Sequence, residues 1–503
     1  MAGTQHRARH FFVYSNSGRD RHPFNRPSTA GRLRPSPLLG TLTFVTLGAV
    51  VPLLVVLTTP GNGYASWPGA AVIAIVSAAR FSWTICSRQR HLVEMVFNIF
   101  VYGFLGIAPL VQLRLRAEVG TTPGFMSQYS STTVILILVG FAAVCVGSLF
   151  GTIKAPDAAK RVQPPQELRT GRVLVVTLFA FGATAYYVGR LGPNSFFRPR
   201  LEFSGQLAVA FPDDTTAALV VGVSSMSLLV SLIAQITLLR QRRRQGLRAP
   251  LLLLLVTAAT LLLVVNPISS ARYAIGTVYL AILAAVGVWG TLRRYRVVGL
   301  STLGALFFLF PIASTFRNSL DTKVSLKNPL ESLLSGDFDS FNQINNTVYF
   351  VASKGITWGD QLLGVVFFWV PRALWPDKAI DTGVLLAEFR GYTFQNLSAP
   401  LWAEFFINGS WPLLVVGMIL VGFAARRWDS RLDAQIIATG TPTLLGSIVP
   451  FYLLIVLRGS LLQAMASLAV VLVLGWFVTA GARRSGHPLR PDDEETNRTQ
   501  ALQ

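Results

Sequence analysis

The run TTVILILVGFAAVCVGSLFGTI, Thr132 to Ile153, decides the fold. It contains no charged side chain. At about 1.5 Å per residue, a helix of that length crosses the roughly 30 Å hydrocarbon core of a bilayer. Comparable apolar windows recur along the chain on both sides of it. Twelve are read as spans: Leu38–Thr59, Tyr64–Cys86, Leu92–Gln112, Thr132–Ile153, Val173–Arg190, Thr216–Leu239, Pro250–Asn266, Ala271–Trp289, Val297–Ser314, Trp411–Ala425, Pro442–Leu457 and Leu461–Ala480. Of the 503 residues 52% are hydrophobic and 13% charged, and the mean hydropathy is +0.51, which excludes a soluble globular domain. The expected fold is therefore all-α: a polytopic integral membrane protein of about twelve transmembrane helices.

Charge sets the expected topology. Formal net charge is +21, and the basic residues gather in the tail 1–37 and in the short connections SRQRH (Ser87–His91), RQRRRQGLR (Arg240–Arg248), RRYR (Arg293–Arg296) and RRWDSR (Arg426–Arg431). Cytoplasmic loops carry such an excess of Lys and Arg, so both tails, 1–37 and 481–503, are expected in the cytoplasm, with the first span a retained anchor. A high pI of this origin reports orientation, and no nucleic-acid partner is needed to explain it. Cys86 and Cys145 both fall in predicted spans, which supports neither a disulfide framework nor a thiolate metal site.

Between spans 38–314 and spans 411–480 lies the segment 315–410, too long to be a structureless loop and so expected to fold on the outer face with interfacial helices. Within it, FFWVPRALWPDK (Phe367–Lys378) is too apolar for a solvated loop and too broken by proline for a span, yet it carries Arg372 and Lys378. Arg317 and Arg390 lie in the same segment. Arg272, in NPISSARYAIG, begins the eighth span, and Arg458, in VLRGS, fills the short turn between the last two. Guanidinium is always charged and binds phosphate oxygens in a bidentate fork. These outward cations, Arg272, Arg317, Arg372, Arg390, Arg458 and Lys378, therefore suit a lipid diphosphate whose head lies at the interface and whose tail lies among the spans. Glu404, in WAEFFINGS, is an acid in an apolar aromatic stretch, surroundings that raise a carboxylate's pKa. Asp337-x-Asp339 has the form of a metal-binding pair, but residues two apart on a helix face different sides, and the first outer loop, TPGNGYASWP, contains no acid. No metal or other cofactor is expected.

The series SGDFDSF, GITWGDQLLG, VPRALWPDK and NLSAPLWAEFFINGSWP, within Ser335–Pro412, resembles the Wzy-type O-antigen polymerases, or oligosaccharide repeat-unit polymerases. The resemblance implies a GT-C-like glycosyltransferase in a bacterial plasma membrane. Such an enzyme moves a glycan from an undecaprenyl diphosphate carrier to another lipid-linked repeat unit, with membrane lipid and a chain-length regulator as partners. It further implies catalytic roles for Arg372 in VPRALWP and Arg272 in SSARY, which would stabilise the departing diphosphate, and for a base that takes the acceptor hydroxyl proton, for which Glu404 is the first choice. Two other readings share these features. One is an O-antigen ligase-like transferase, against which stands the lack of a histidine in the predicted outer segments. The other is a flippase of lipid-linked glycans, against which stands the scarcity of charge at span centres.

Overall fold

The computed structural model describes residues 36–153, 166–248, 250–312, 329–480 and 483–484. It is helical, apart from a two-residue antiparallel pairing of Gln166–Glu167 with Arg483–Arg484. Eight helices among the described residues are long and apolar enough to cross a membrane: α1 (Pro37–Thr58), α2 (Trp67–Cys86), α3 (Leu92–Leu115), α4 (Ser130–Ile153), α5 (Thr170–Leu191), α7 (Asp214–Arg244), α14 (Leu401–Thr439) and α16 (Leu461–Thr479). The remaining α-helices of seven or more residues among the described ones are α6 (Arg200–Ala210), α8 (Leu251–Val264), α9 (Arg272–Ala285), α10 (Leu292–Ile312), α11 (Ser340–Lys354), α12 (Asp360–Val366), α13 (Thr382–Arg390) and α15 (Leu444–Arg458).

Eight of the twelve expected windows fall on these helices, and three of the other four form shorter ones. The windows beginning at Pro250 and Ala271 yield helices of only 14 residues, and that at Pro442 one of 15. Fourteen residues rise about 21 Å, short of the hydrocarbon thickness. The window Val297–Ser314 falls on α10, a helix of 21 residues that opens on the basic LRRYR, and the last two residues of that window lie outside the described ones. Two basic connections are also corrected. Arg240–Arg244 continues α7, and Arg426–Arg431 lies within α14.

Helix α3 runs through the middle of the bundle, its apolar length wholly buried. Its segment Val101–Ile107 is π-helical, as is Val45–Val50 in α1, and each stands just before a proline, Pro109 and Pro52. Proline lacks the N–H of the helical ladder and its ring clashes with the carbonyl four residues back; a widened turn relieves both. The closest helix contact is α4 on α14. A Cβ on Gly147 would fall 2.0 Å from Ile419 O, and one on Gly422 2.0 Å from Val144 O, so the two backbones touch where only glycine fits. On the other flank Gln235 of α7 donates to Thr177 Oγ1 of α5 (3.1 Å) and Thr257 Oγ1 of α8 (3.0 Å), pinning three apolar helices through one amide.

Helix α14 is two helices. Gly409 and Ser410 leave the helical region, Ser410 at φ +53°, and Pro412 follows. The short arm, residues 401–408, packs into the bundle: Trp402 donates to Ile137 O at 3.2 Å and stacks 5.7 Å from Phe97 of α3. The break coincides with the expected start of the tenth span at Trp411. Glu404, however, stands inside the protein rather than on an interfacial surface, fully buried.

Candidate functional site

The segment that was expected to fold does so from α11 to the short arm of α14, and the chain between Ser335 and Ser340 is its anchor. Arg272 Nη1 meets Asp337 Oδ2 at 2.6 Å, from the first residue of α9. Arg458, the last residue of α15, donates Nη2 to Asp339 Oδ1 at 3.3 Å, Nε to Asp337 O at 3.0 Å and Nη2 to Gly336 O at 3.3 Å. The DxD pair thus holds two arginines. Asp337 and Asp339 point to separate partners, and among the described residues no group of three or more His, Cys, Asp or Glu side chains is placed to hold a metal ion. Asp339 is nearly enclosed, with Ser398 N donating to its Oδ2 at 3.2 Å. Burial raises its pKa, and Arg458 and Ser398 oppose that rise.

Glu404 belongs to the same junction. Its Oε1 accepts from Leu461 N at 2.9 Å, in the first turn of α16 and three residues past Arg458, and its Oε2 accepts from Thr382 Oγ1 at 2.8 Å. Thr382 opens α13, which Asp381 caps by accepting from Gly383 N at 2.8 Å and Val384 N at 3.3 Å. The Asp381 carboxyl is pushed upward by burial, against the opposing pull of Ser460 and of the Val384 and Gly383 amides. Glu404 therefore ties the Arg458 turn to the loop that carries Arg372 and Lys378.

Those two residues are occupied locally. Arg372 donates to Lys378 O at 2.7 Å and Ala379 O at 3.2 Å, and Lys378 Nζ to Phe368 O at 2.7 Å and Val370 O at 3.0 Å. They cross-brace a proline-broken loop, and burial followed by the neighbouring Arg372 lowers the Lys378 pKa. Arg390 donates Nη2 to Gly124 O and Nε to Tyr392 Oη at 3.1 Å, and its guanidinium lies 5.4 Å from the Tyr349 ring, clamping α13 to the loop between α3 and α4. Arg317 lies outside the described residues. Of the six proposed cations, then, the structure brings Arg272 and Arg458 onto one peptide; Arg372, Lys378 and Arg390 brace other loops.

At the opposite end of α3 stands a charged network that the basic connections masked. Asp429 of α14 accepts from Val93 N at 2.8 Å and Glu94 N at 3.0 Å, capping α3 across the fold. Arg90 meets Asp433 at 2.7 Å and also donates to Trp289 O and Gly290 O. Arg426 Nη1 lies 2.8 Å from His91 Nδ1, and burial, then Arg426, lower the histidine to about 3, so its ring is a neutral acceptor. In sequence, RRWDSR and SRQRH carry only a topology signal. The acids at 429 and 433, spaced one helical turn apart behind the arginines, were the available sign of more.

The chain is thus a multi-pass helical membrane protein with ion pairs near each end of α3. No family model, no curated protein and no solved structure matches it.

Proposed function

We propose that the protein is a polymerase of lipid-linked oligosaccharide repeat units, transferring glycan from a polyprenyl diphosphate carrier to an acceptor glycan at the outer face of a bacterial plasma membrane. One observation carries the reading: Arg272 and Arg458 arrive from two helix ends onto Asp337–Asp339, and Glu404 is bonded to the turn that follows Arg458. In the reaction the acceptor hydroxyl oxygen attacks the anomeric carbon. The bond from that carbon to the diphosphate oxygen breaks, and its electron pair leaves with the diphosphate.

Arg272 and Arg458 exchange carboxylate for phosphate oxygens as that charge develops. Exchange begins at Arg272, because Asp337 is the more exposed acid, at 23% against 3% for Asp339. Glu404 takes the hydroxyl proton, which requires the Thr382 hydroxyl to turn away from Oε2. Arg372, Lys378 and Arg390 shape the loops around the donor.

The test is turnover of a purified lipid-diphosphate oligosaccharide by the full chain with chelator present. A ladder of products that Arg458→Ala, Arg272→Ala and Glu404→Gln each abolish supports the reading. A single transfer of finished polymer points to a ligase, and repeat units trapped at the inner leaflet of a deletion strain point to a flippase; either result sinks the polymerase.

A further inference from the structure

A cavity of about 220 Å³ lies between α3, α4, the long arm of α14 and α15. By the same measure one water needs roughly 15 Å³, so the space exceeds a bridging water many times over. Its walls are hydrocarbon, among them Phe97, Val144, Trp428 and Leu453. Beside it α4 and α14 turn large apolar side chains outward, Leu149 and Leu420 each 61% exposed, so the surrounding surface faces lipid chains.

The cavity has one polar corner, on α3 and its neighbours. Arg80 Nη2 donates to Glu94 Oε2 at 3.0 Å and to Ser148 Oγ at 2.8 Å, and Ser148 Oγ donates to Glu94 Oε1 at 2.6 Å. That leaves the Arg80 Nε and Nη1 donors without a hydrogen bond among the described residues. One turn along α3, Asn98 donates Nδ2 to Glu94 O at 2.7 Å, while its Oδ1, on a side chain only 1% exposed, accepts nothing. The corner offers an unused acceptor and unused donors, and its charge is already balanced by the Arg80–Glu94 pair.

We propose that this cavity binds a long-chain alcohol, the chain along the apolar walls and the terminal hydroxyl between Asn98 Oδ1 and Arg80. A hydroxyl is the smallest group that both donates to an amide oxygen and accepts from a guanidinium. An anion would meet the Glu94 carboxylate and a cation the Arg80 guanidinium, so a neutral head fits where a charged one is repelled. Two sources carry this chemistry, a straight-chain alcohol and an isoprenoid alcohol. The site is independent of the reading of Arg272, Arg458 and Glu404.

The experiment measures equilibrium binding of radiolabelled hexadecan-1-ol and an isoprenoid alcohol of similar length to the full chain in phosphatidylcholine nanodiscs, against protein-free nanodiscs. Hexadecane and hexadecanoic acid serve as controls. Saturable binding of one molecule of alcohol is expected, with hexadecane only partitioning. Asn98→Leu should weaken the alcohol about tenfold, the worth of one buried hydrogen bond, and Ala424→Trp, which fills the space from a lipid-exposed position, should abolish saturation. The better-bound alcohol identifies the source. Equal behaviour of alcohol and alkane, tighter binding of the acid, or unchanged saturation in Ala424→Trp overturns the proposal.

Discussion

Phe405 and Gly417 touch, although twelve residues of one helix separate them: a Cβ on Gly417 would stand 2.7 Å from Phe405 Cε2. In an unbroken helix twelve residues rise about 18 Å. The contact is the product of the break at Gly409–Ser410, which folds the short arm of α14 back on the long arm and so delivers Glu404 to Leu461 and Thr382. Gly417→Leu should therefore drive the Phe405 ring out and cost about 1–3 kcal/mol by overpacking. Thermal unfolding of the detergent-solubilised protein checks this, and Phe405→Ala in the same chain should recover part of the loss.

Ser410 carries the fold-back in a backbone region that L residues avoid, with φ +53° and ψ −147°. Ser410→Gly relieves that conformation and is expected to leave the unfolding midpoint unchanged or raised, by about 1 kcal/mol. Ser410→Val should lower it by more than any exposed serine substitution elsewhere in the chain. If valine is tolerated, the break does not depend on this residue.

Arg458 neutralises Asp339, an acid with 3% side-chain exposure. Arg458→Met strands the carboxylate and is expected to destabilise by about 3 kcal/mol, in the range for a broken buried pair. Adding Asp339→Leu removes the stranded charge and should restore much of that stability while leaving the protein inactive. Recovery of turnover together with stability would show that the pair has no part in the chemistry.

Asp339 and Asp381 also predict the direction of a pH response. Burial raises both above the ordinary carboxylate value of about 3.9. Each group's contribution is then fully present below the unfolded-state pKa and is lost as pH rises through the higher folded-state value. Within that window the unfolding temperature should fall as pH rises. Asp381→Asn keeps the cap oxygen for Gly383 and should flatten the response; an unchanged slope would exclude Asp381 as its source.

Much of the architecture was legible because it depends on sums. Apolar windows long enough to span announce themselves whatever they pack against, and seven of the eight long helices fall within two or three residues of expectation at one end at least, as α16 does from Leu461. The windows at α8, α9 and α15 form helices shorter than expected, because composition alone does not state where a helix stops. Partners were the illegible part. Asp337 finds Arg272 across 65 residues and Asp339 finds Arg458 across 119, separations over which no local pattern carries information.

By itself the sequence determined that this chain is a helical membrane protein, roughly where most of its long apolar helices lie, and which cations and acids stand near their ends, since hydropathy and local backbone preference are properties of short stretches. Only the tertiary structure decided which of those charges meet. It gathered Arg272, Arg458 and Glu404 at one junction and put Arg372, Lys378 and Arg390 to bracing loops. The reason is that a buried ion pair is chosen by the three-dimensional packing of distant helices, through desolvation and close geometry that neither residue encodes alone.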